Sequence, residues 1–337
     1  MQDEGVDMKK LLLRSSDEVR VIAPSCSMRK IDSSVIERAQ ERFRCLGLNV
    51  AFGDHVYDED FLGSASVDKR VADLHAAFAD KKVKLILTAI GGFNSNQLLQ
   101  HIDYALLKKN PKLLCGFSDV TALLNAIHAK TGMPVFYGPH FSTFGMEKGI
   151  EFTIECFKNT FFYGRCDILA SETWSDDMWF KDQEHRQFIT NPGYEIIHRG
   201  DMVGMGVGGN ISTFNLLAGT EYEPSLKKSI LFIEDTSRMS ITDFDRHLEA
   251  LTQRDDFCTV RGILIGRFQK DSGIDMDMLR KIISRKKALD AIPLFANVDF
   301  GHTTPHCILP IGGMIRVNVD RKCITVQLHS SVEQLPE

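Results

Sequence analysis

Cations in excess are missing from this chain. Across 337 residues, 40 Lys and Arg stand against 45 Asp and Glu, for a formal net charge of -5. With no surplus to neutralise phosphates, nucleic acid is excluded as a partner. The short pairs Lys9-Lys10 and Lys286-Lys287 read as solvated helix faces. Eight cysteines run from Cys26 to Cys323 without one C-x-x-C pair. That removes zinc-ribbon and thioredoxin-like patterns and suits a reducing compartment. Cys115, inside an apolar run, reads as a buried thiol. No window offers about 18 continuous apolar residues, so no membrane span is expected. The start, MQDEGVDMKKLLLRSSDEVRV, is acidic and holds only a three-Leu apolar run. It lacks the basic region and long apolar stretch of a secretory signal. A cytoplasmic protein is expected. Internal repeats and low-complexity tracts are also absent.

What is present is ordinary globular material, 43% apolar and 25% charged. At this length two domains are expected. The boundaries read as residues 1–165, a linker or aromatic loop at 166–195, and residues 196–337. In the first part, short apolar runs alternate with amphipathic stretches. VRVIAPS (19–25), LNVAFG, VKLILTAIGG (83–92) and KLLCGFSD (112–119) read as strands. Helices are expected after Asp32, near 67–80, at about 95–109 and from Thr121 to Gly132. Alternation of this kind predicts a doubly wound parallel sheet, with function at the carboxyl ends of its strands. From about 150 to 195 the periodicity breaks down, and both tryptophans of the chain lie there. Strands dominate afterwards (YEIIHRG, DMVGMGVGG, KSILFIED, VRGILIGRF, IRVNVD and ITVQLH), with helices expected at 242–253 and 275–288. This predicts a smaller, β-rich α/β domain.

Gly116-Phe117-Ser118-Asp119 runs from a strand straight into a helix. A serine there presents its hydroxyl above the sheet, and the following amide can face an oxyanion. Val120 replaces the last glycine of the G-x-S-x-G elbow, and a simple helix cap explains Ser118 equally well. Two glycines in Ile90-Gly91-Gly92-Phe93 let backbone amides approach a ligand, or simply make a tight turn. Phe232-Ile233-Glu234-Asp235 puts two acids at a strand end, where one can orient a histidine or cap a turn. His302 and His306 have i,i+4 spacing, but Pro305 between them and the missing H-E-x-x-H glutamate disfavour a metal. A loop histidine acting as general base is the better reading. No metal or cofactor is expected. Gly204-Met205-Gly206-Val207-Gly208-Gly209 matches G-x-G-x-x-G by letter only, and a flexible cleft loop ending at Asn210 is preferred to a dinucleotide site. Trp174 and Trp179 lie in a polar, acidic stretch, where they either cover a ligand or anchor the loop.

In order along the chain, IGGFNSNQLLQHIDY (90–104), GFSDVTALLNAIHAKTG (116–132), YGPHFSTFG (137–145), VGGNISTFNLLAGT (207–220), FIEDTS (232–237), DFDRHL (243–248) and FGHTTP (300–305) resemble the LD-carboxypeptidase family of serine peptidases. The likeness runs roughly from Val19 to Leu328, and the microcin C immunity peptidases are the most similar branch. The resemblance implies Ser118 as nucleophile, His302 as general base and Glu234 as the residue orienting it. It implies an oxyanion hole from the amides of Gly92 and Asp119, with Gly91, Asn210, Trp174 and Trp179 bordering the substrate. It further implies a glutamine-amidotransferase-like first domain, a swivelling second domain and a homodimer. Murein-cleaving members tend to carry Arg where this chain has Ile90, and a shorter loop where it has the tryptophans. The expected substrate is therefore a peptidyl or aminoacyl nucleotide of the aspartyl-adenylate type. A murein tetrapeptide is the alternative.

Overall fold

A computed structural model describes residues 8–328. Two sheets organise it. The first has six strands in the spatial order Leu309–Ile311, Val135–Tyr137, Leu113–Gly116, Val83–Thr88, Glu18–Ile22 and Asn49–Phe52. Five are parallel, and only Leu309–Ile311 runs antiparallel, against Val135–Tyr137. Numbered along the chain, the parallel strands lie 2-1-3-4-5. Their order reverses between the strands ending at Ile22 and Thr88, which opens a crevice at those carboxyl ends. Their apolar runs are buried on both faces: Val19, Val21, Leu85, Leu87, Leu113 and Cys115 face one layer of helices, and Ile22, Ile86 and Leu114 the other side.

The second sheet has eight strands, ordered 165–168, 323–327, 314–318, 202–210, 229–234, 262–266, 294–298 and 195–198. Its centre is parallel: 202–210, 229–234, 262–266 and 294–298 run the same way. Glu234 thus ends a central strand. Helices Ile241–Thr252 and Met276–Ser284 bury Phe244, Leu248, Leu251, Leu279, Ile282 and Ile283 on its outer face. Ile86, Leu114, Phe232, Leu264 and Ile315 share one apolar cluster, so the sheets pack around a common core. The chain passes from 309–311 in the first sheet through Gly312-Gly313 directly into 314–318 of the second.

Three local readings differ from the structure. Residues 95–109 are not one helix: a 3-10 segment, Ser95–His101, is followed by helix Tyr104–Lys109, which Asp103 caps through Leu106 N at 2.9 Å. A helix at Glu151–Phe161 occupies part of the stretch read as aperiodic. Its buried face carries Thr153 and Thr160 between Cys156, Phe157 and Phe161, and the two threonines hide the apolar period. The glycine run 204–209 is a strand interior rather than a loop. A β-carbon at Gly206 would lie 2.0 Å from Pro310 O, and one at Gly208 1.9 Å from Phe232 O. The glycines are there for close backbone packing.

Candidate active site

Ser118 sits between strand Leu113–Gly116 and helix Thr121–Thr131 with φ of 63°, a left-handed conformation rare for a residue with a β-carbon. The turn is tight beneath it. A β-carbon at Gly116 would lie 2.1 Å from Thr88 Oγ1 and 2.9 Å from Val120 Cγ2. Glycine at 116 is therefore obligatory, and there is room for Val120 where the familiar elbow has a second glycine. The helix N-terminus behind Ser118 adds partial positive charge at its hydroxyl.

His302 brings its Nε2 to 3.0 Å from Ser118 Oγ, and its Nδ1 lies 2.6 Å from Glu234 Oε2. Glu234 is fully buried. Its other oxygen accepts from Tyr137 OH at 2.6 Å and from Asn210 Nδ2 at 3.2 Å. Burial pushes the Glu234 pKa up, but the charge of His302 and the hydrogen bonds from His302, Tyr137 and Asn210 outweigh it, so the net shift is downward. For His302 burial favours the neutral ring, yet Glu234 beside it wins and the pKa rises above the ordinary 6.5. Asp235 is pushed up to about 6 by burial and by the Glu234 charge.

The crevice of the first sheet supplies the opposite wall. A β-carbon at Gly91 would stand 3.2 Å from Ser118 Oγ, so this glycine faces the hydroxyl directly. At Gly92 one would lie 2.3 Å from Ser25 Oγ and 2.7 Å from Cys26 Sγ, which leaves room for glycine alone. Asp119 turns its side chain away from Ser118. It accepts from Ser25 Oγ at 2.5 Å and from Ser95 N at 2.9 Å, and its carbonyl accepts from Ser95 Oγ at 2.7 Å. The carboxylate fixes the two loops of the crevice, and the amide of the same residue lies beside Ser118.

Asn210 is 3% exposed and its side chain is committed. Its Nδ2 donates to Glu234 and Asp235, and its Oδ1 accepts from Thr213 N at 3.2 Å, Ser212 Oγ at 2.8 Å and Thr213 Oγ1 at 3.0 Å. The two tryptophans part company. Trp179 is partly buried against the outer core of the first sheet. Trp174 lines a cleft of about 350 Å³ with Phe268, Arg267, Lys270, Asp275 and Asn297. Arg267 Cζ and Lys270 Nζ lie 5.0 and 5.5 Å from its ring centre. The loop is stitched to the histidine segment by paired bonds between Ser175 and Thr304, at 2.9 and 2.7 Å. Buried Arg186 also holds it, reaching Asp177 at 2.6 Å and Thr304 Oγ1 at 3.3 Å.

Sequence reasoning gave no role to Tyr137 or His140, although both lie in the quoted YGPH run. His140 is 2% exposed; its Nδ1 is 2.6 Å from Thr88 Oγ1, and its ring lies 4.3 Å from that of Phe117. His306 also packs on Phe117, at 4.8 Å, instead of facing His302 across a metal. Burial and the neighbouring histidines push both rings down, His306 to about 4. Among the described residues no group of three or more His, Cys, Asp or Glu is placed to hold a metal ion, and no helix is long and apolar enough to cross a membrane.

Comparison with known proteins places the chain in a family. Residues 19–138 match the LD-carboxypeptidase N-terminal domain and residues 203–317 the LD-carboxypeptidase C-terminal domain. Putative carboxypeptidase YocD of Bacillus subtilis is 45% identical over 90% of this chain and 94% of its own. The crystal structure of an MccF-like protein from Bacillus anthracis superposes with a TM-score of 0.92 at 46% identity, covering 94% of this chain and 98% of that one. The microcin C7 self-immunity protein MccF of Escherichia coli is 30% identical over 86% of this chain and 87% of its own. Solved MccF in complex with aspartyl sulfamoyl adenosine has a TM-score of 0.85 at 27% identity, over 94% of this chain and 98% of that one. With matching sequence blocks at both ends and the same two-sheet architecture throughout, the chain belongs to the LD-carboxypeptidase family of serine peptidases.

Proposed function

We propose that the protein hydrolyses an amide-type bond at the C-terminal end of a peptidyl or aminoacyl nucleotide, with Ser118, His302 and Glu234 as its triad. The observation that carries the chemistry is the unbroken chain of 3.0 and 2.6 Å contacts from Ser118 Oγ through His302 to a buried, ionised Glu234. Ser118 Oγ attacks the acyl carbon while His302 Nε2 takes its proton. The amides of Gly92 and Asp119 receive the oxyanion. On collapse the bond to the nucleotide-side nitrogen breaks, and His302 returns the proton to that nitrogen. Water, deprotonated by His302, then cleaves the acyl-enzyme. Glu234 fixes the tautomer and balances the imidazolium throughout.

The choice of a nucleotide rests on the cleft at Trp174. An indole beside the exposed ammonium of Lys270 suits a purine and its anionic linkage, while Arg267 is buried and held by Asp299 at 2.7 Å; a murein peptide has no aromatic group to place there. MccF has been solved with aspartyl sulfamoyl adenosine, and a tryptophan-to-phenylalanine variant of it with adenosine monophosphate. Murein tetrapeptide hydrolysis is the second reading, favoured by relatives named murein peptide carboxypeptidase. A cytoplasmic homodimer completes the proposal, on the strength of the family resemblance.

The test compares Trp174→Ala and Trp179→Ala on an aspartyl adenylate whose acyl group is joined to the phosphorus through nitrogen, and on a small aspartyl amide without a base. Stacking is worth roughly 1–3 kcal/mol per base, so Trp174→Ala should lose about 5- to 150-fold in kcat/KM on the adenylate alone. Equal losses on both substrates would mean that the loop only shapes the site.

A further inference from the structure

We propose that Tyr137 is a positioning residue that ties the nucleophile's backbone to the triad carboxylate across the two sheets. The inference rests on the triad reading and assigns the tyrosine a role within it.

Tyr137 ends strand Val135–Tyr137 of the first sheet and is 1% exposed. Its hydroxyl accepts the N–H of Ser118 at 3.1 Å and donates to Glu234 Oε1 at 2.6 Å. The direction of both bonds is fixed by chemistry. An amide only donates and a carboxylate only accepts, so the phenol proton points at Glu234 and a lone pair faces Ser118. Burial, with the Glu234 charge beside it, keeps the phenol protonated. The bond to Glu234 is buried, so water does not replace it.

The bond to Ser118 has a specific use. At φ of 63° the serine is in a conformation its β-carbon disfavours, and it persists only when held from outside. Tyr137 holds its N–H, while Thr121 Oγ1 donates to its C=O at 2.6 Å. Thr121 Oγ1 in turn accepts from Asn210 N at 3.0 Å. Both holders of the nucleophile therefore reach the second sheet, one at Glu234 and the other at Asn210. The glycine run makes this possible. A β-carbon at Gly209 would lie 2.8 Å from the Tyr137 ring and 2.7 Å from Thr121 Oγ1, blocking both ties.

The role predicts more than lost stability. Without the phenol, Glu234 has one donor fewer on Oε1, its negative charge is less dispersed, and its hold on the proton of His302 tightens. The other charged or titratable groups facing His302, namely Asp235, Arg238, His306 and His140, are unchanged. The acid limb of kcat/KM should therefore move to higher pH.

The experiment measures kcat, KM, Tm and the pH profile of kcat/KM for Tyr137→Phe in the full chain. Tyr194→Phe is the control, because the Tyr194 hydroxyl is buried with no hydrogen-bond partner among the described residues. Tyr137→Phe should lose about 10- to 100-fold in kcat, as expected for a lost bond to a buried charge, with KM held within about 3-fold. Its acid limb should rise, and Tyr194→Phe should match wild type. A ring-fluorinated tyrosine placed at 137 is a stronger donor of the same shape and should move the limb to lower pH; it decides the matter if the phenylalanine variant does not fold. An unshifted limb in either version, or wild-type kcat in Tyr137→Phe, overturns the role. Ser118→Ala, run alongside, separates the two ideas. If it is active, the triad reading and this one both fall; if it is inactive beside a normal Tyr137→Phe, this one falls alone.

Discussion

Replacing Glu234 by Gln is the most informative single change, because its neighbours dictate how the amide sits. Glu234 Oε1 receives two donors, Tyr137 OH and Asn210 Nδ2. Asn210 cannot turn over to accept instead, since its Oδ1 already takes three bonds from Ser212 and Thr213. The oxygen of a glutamine must therefore occupy the Oε1 place, which leaves its NH2 group against His302 Nδ1, where Oε2 now lies at 2.6 Å. Two N–H groups cannot face each other. His302 responds by carrying its proton on Nε2, pointed at Ser118 Oγ, and in that tautomer it cannot take the serine's proton. Comparable carboxylate-to-amide changes in serine peptidases cost about 10⁴ in kcat through the wrong tautomer. At about 1.4 kcal/mol per decade this is roughly 5.5 kcal/mol of lost transition-state stabilisation. The side chain keeps its size, so the fold and the dissociation constant of adenosine monophosphate, which has no acyl bond to cleave, should hardly change. Steady-state kinetics and calorimetric titration of that nucleotide provide the assay. Full activity at neutral pH would refute the reasoning and pass the orienting role to another acid such as Asp235. A loss confined to KM would refute it too.

Ser118→Ala and His302→Ala should each lower kcat by about 10³-fold or more, and their combination should be little worse than either, because the two groups act as a unit. Chelators should leave the activity intact; loss with EDTA and recovery with metal would reject the serine mechanism. The base must be neutral to act, and Glu234 holds the His302 pKa above 6.5. Hence kcat/KM should fall as the pH drops through a midpoint above 6.5, and a midpoint well below it would mean that the two residues are uncoupled.

The parallel sheet was legible because its strands are buried on both faces and separated by amphipathic stretches and glycine stops. Glu18–Ile22 and Val83–Thr88 advertise themselves in this way. The helix Glu151–Phe161 was hidden because threonines occupy part of its core-facing side. Strand Leu309–Ile311 was invisible for another reason: three residues containing a proline carry no period, and only pairing with Val135–Tyr137 makes them a strand. At the site, Ser118, Glu234 and His302 lie far apart in sequence, and each had a plain alternative as a cap or loop residue. The order of the family's motifs drew them together, and the geometry places them in contact. Tyr137 and Asn210 show the limit of such reading. Which hydrogen bonds a buried polar side chain makes depends on the opposite sheet, and no local pattern encodes that.

The central claim is that a serine triad here acts on an aminoacyl nucleotide. Its most direct test is kcat/KM of the wild-type chain on an aspartyl adenylate and on a murein tetrapeptide, side by side, with Ser118→Ala as the blank. The wild-type chain should hydrolyse the adenylate, Ser118→Ala should abolish that activity, and the tetrapeptide should be cleaved far more slowly. Efficient cleavage of the tetrapeptide with the adenylate left untouched would contradict it.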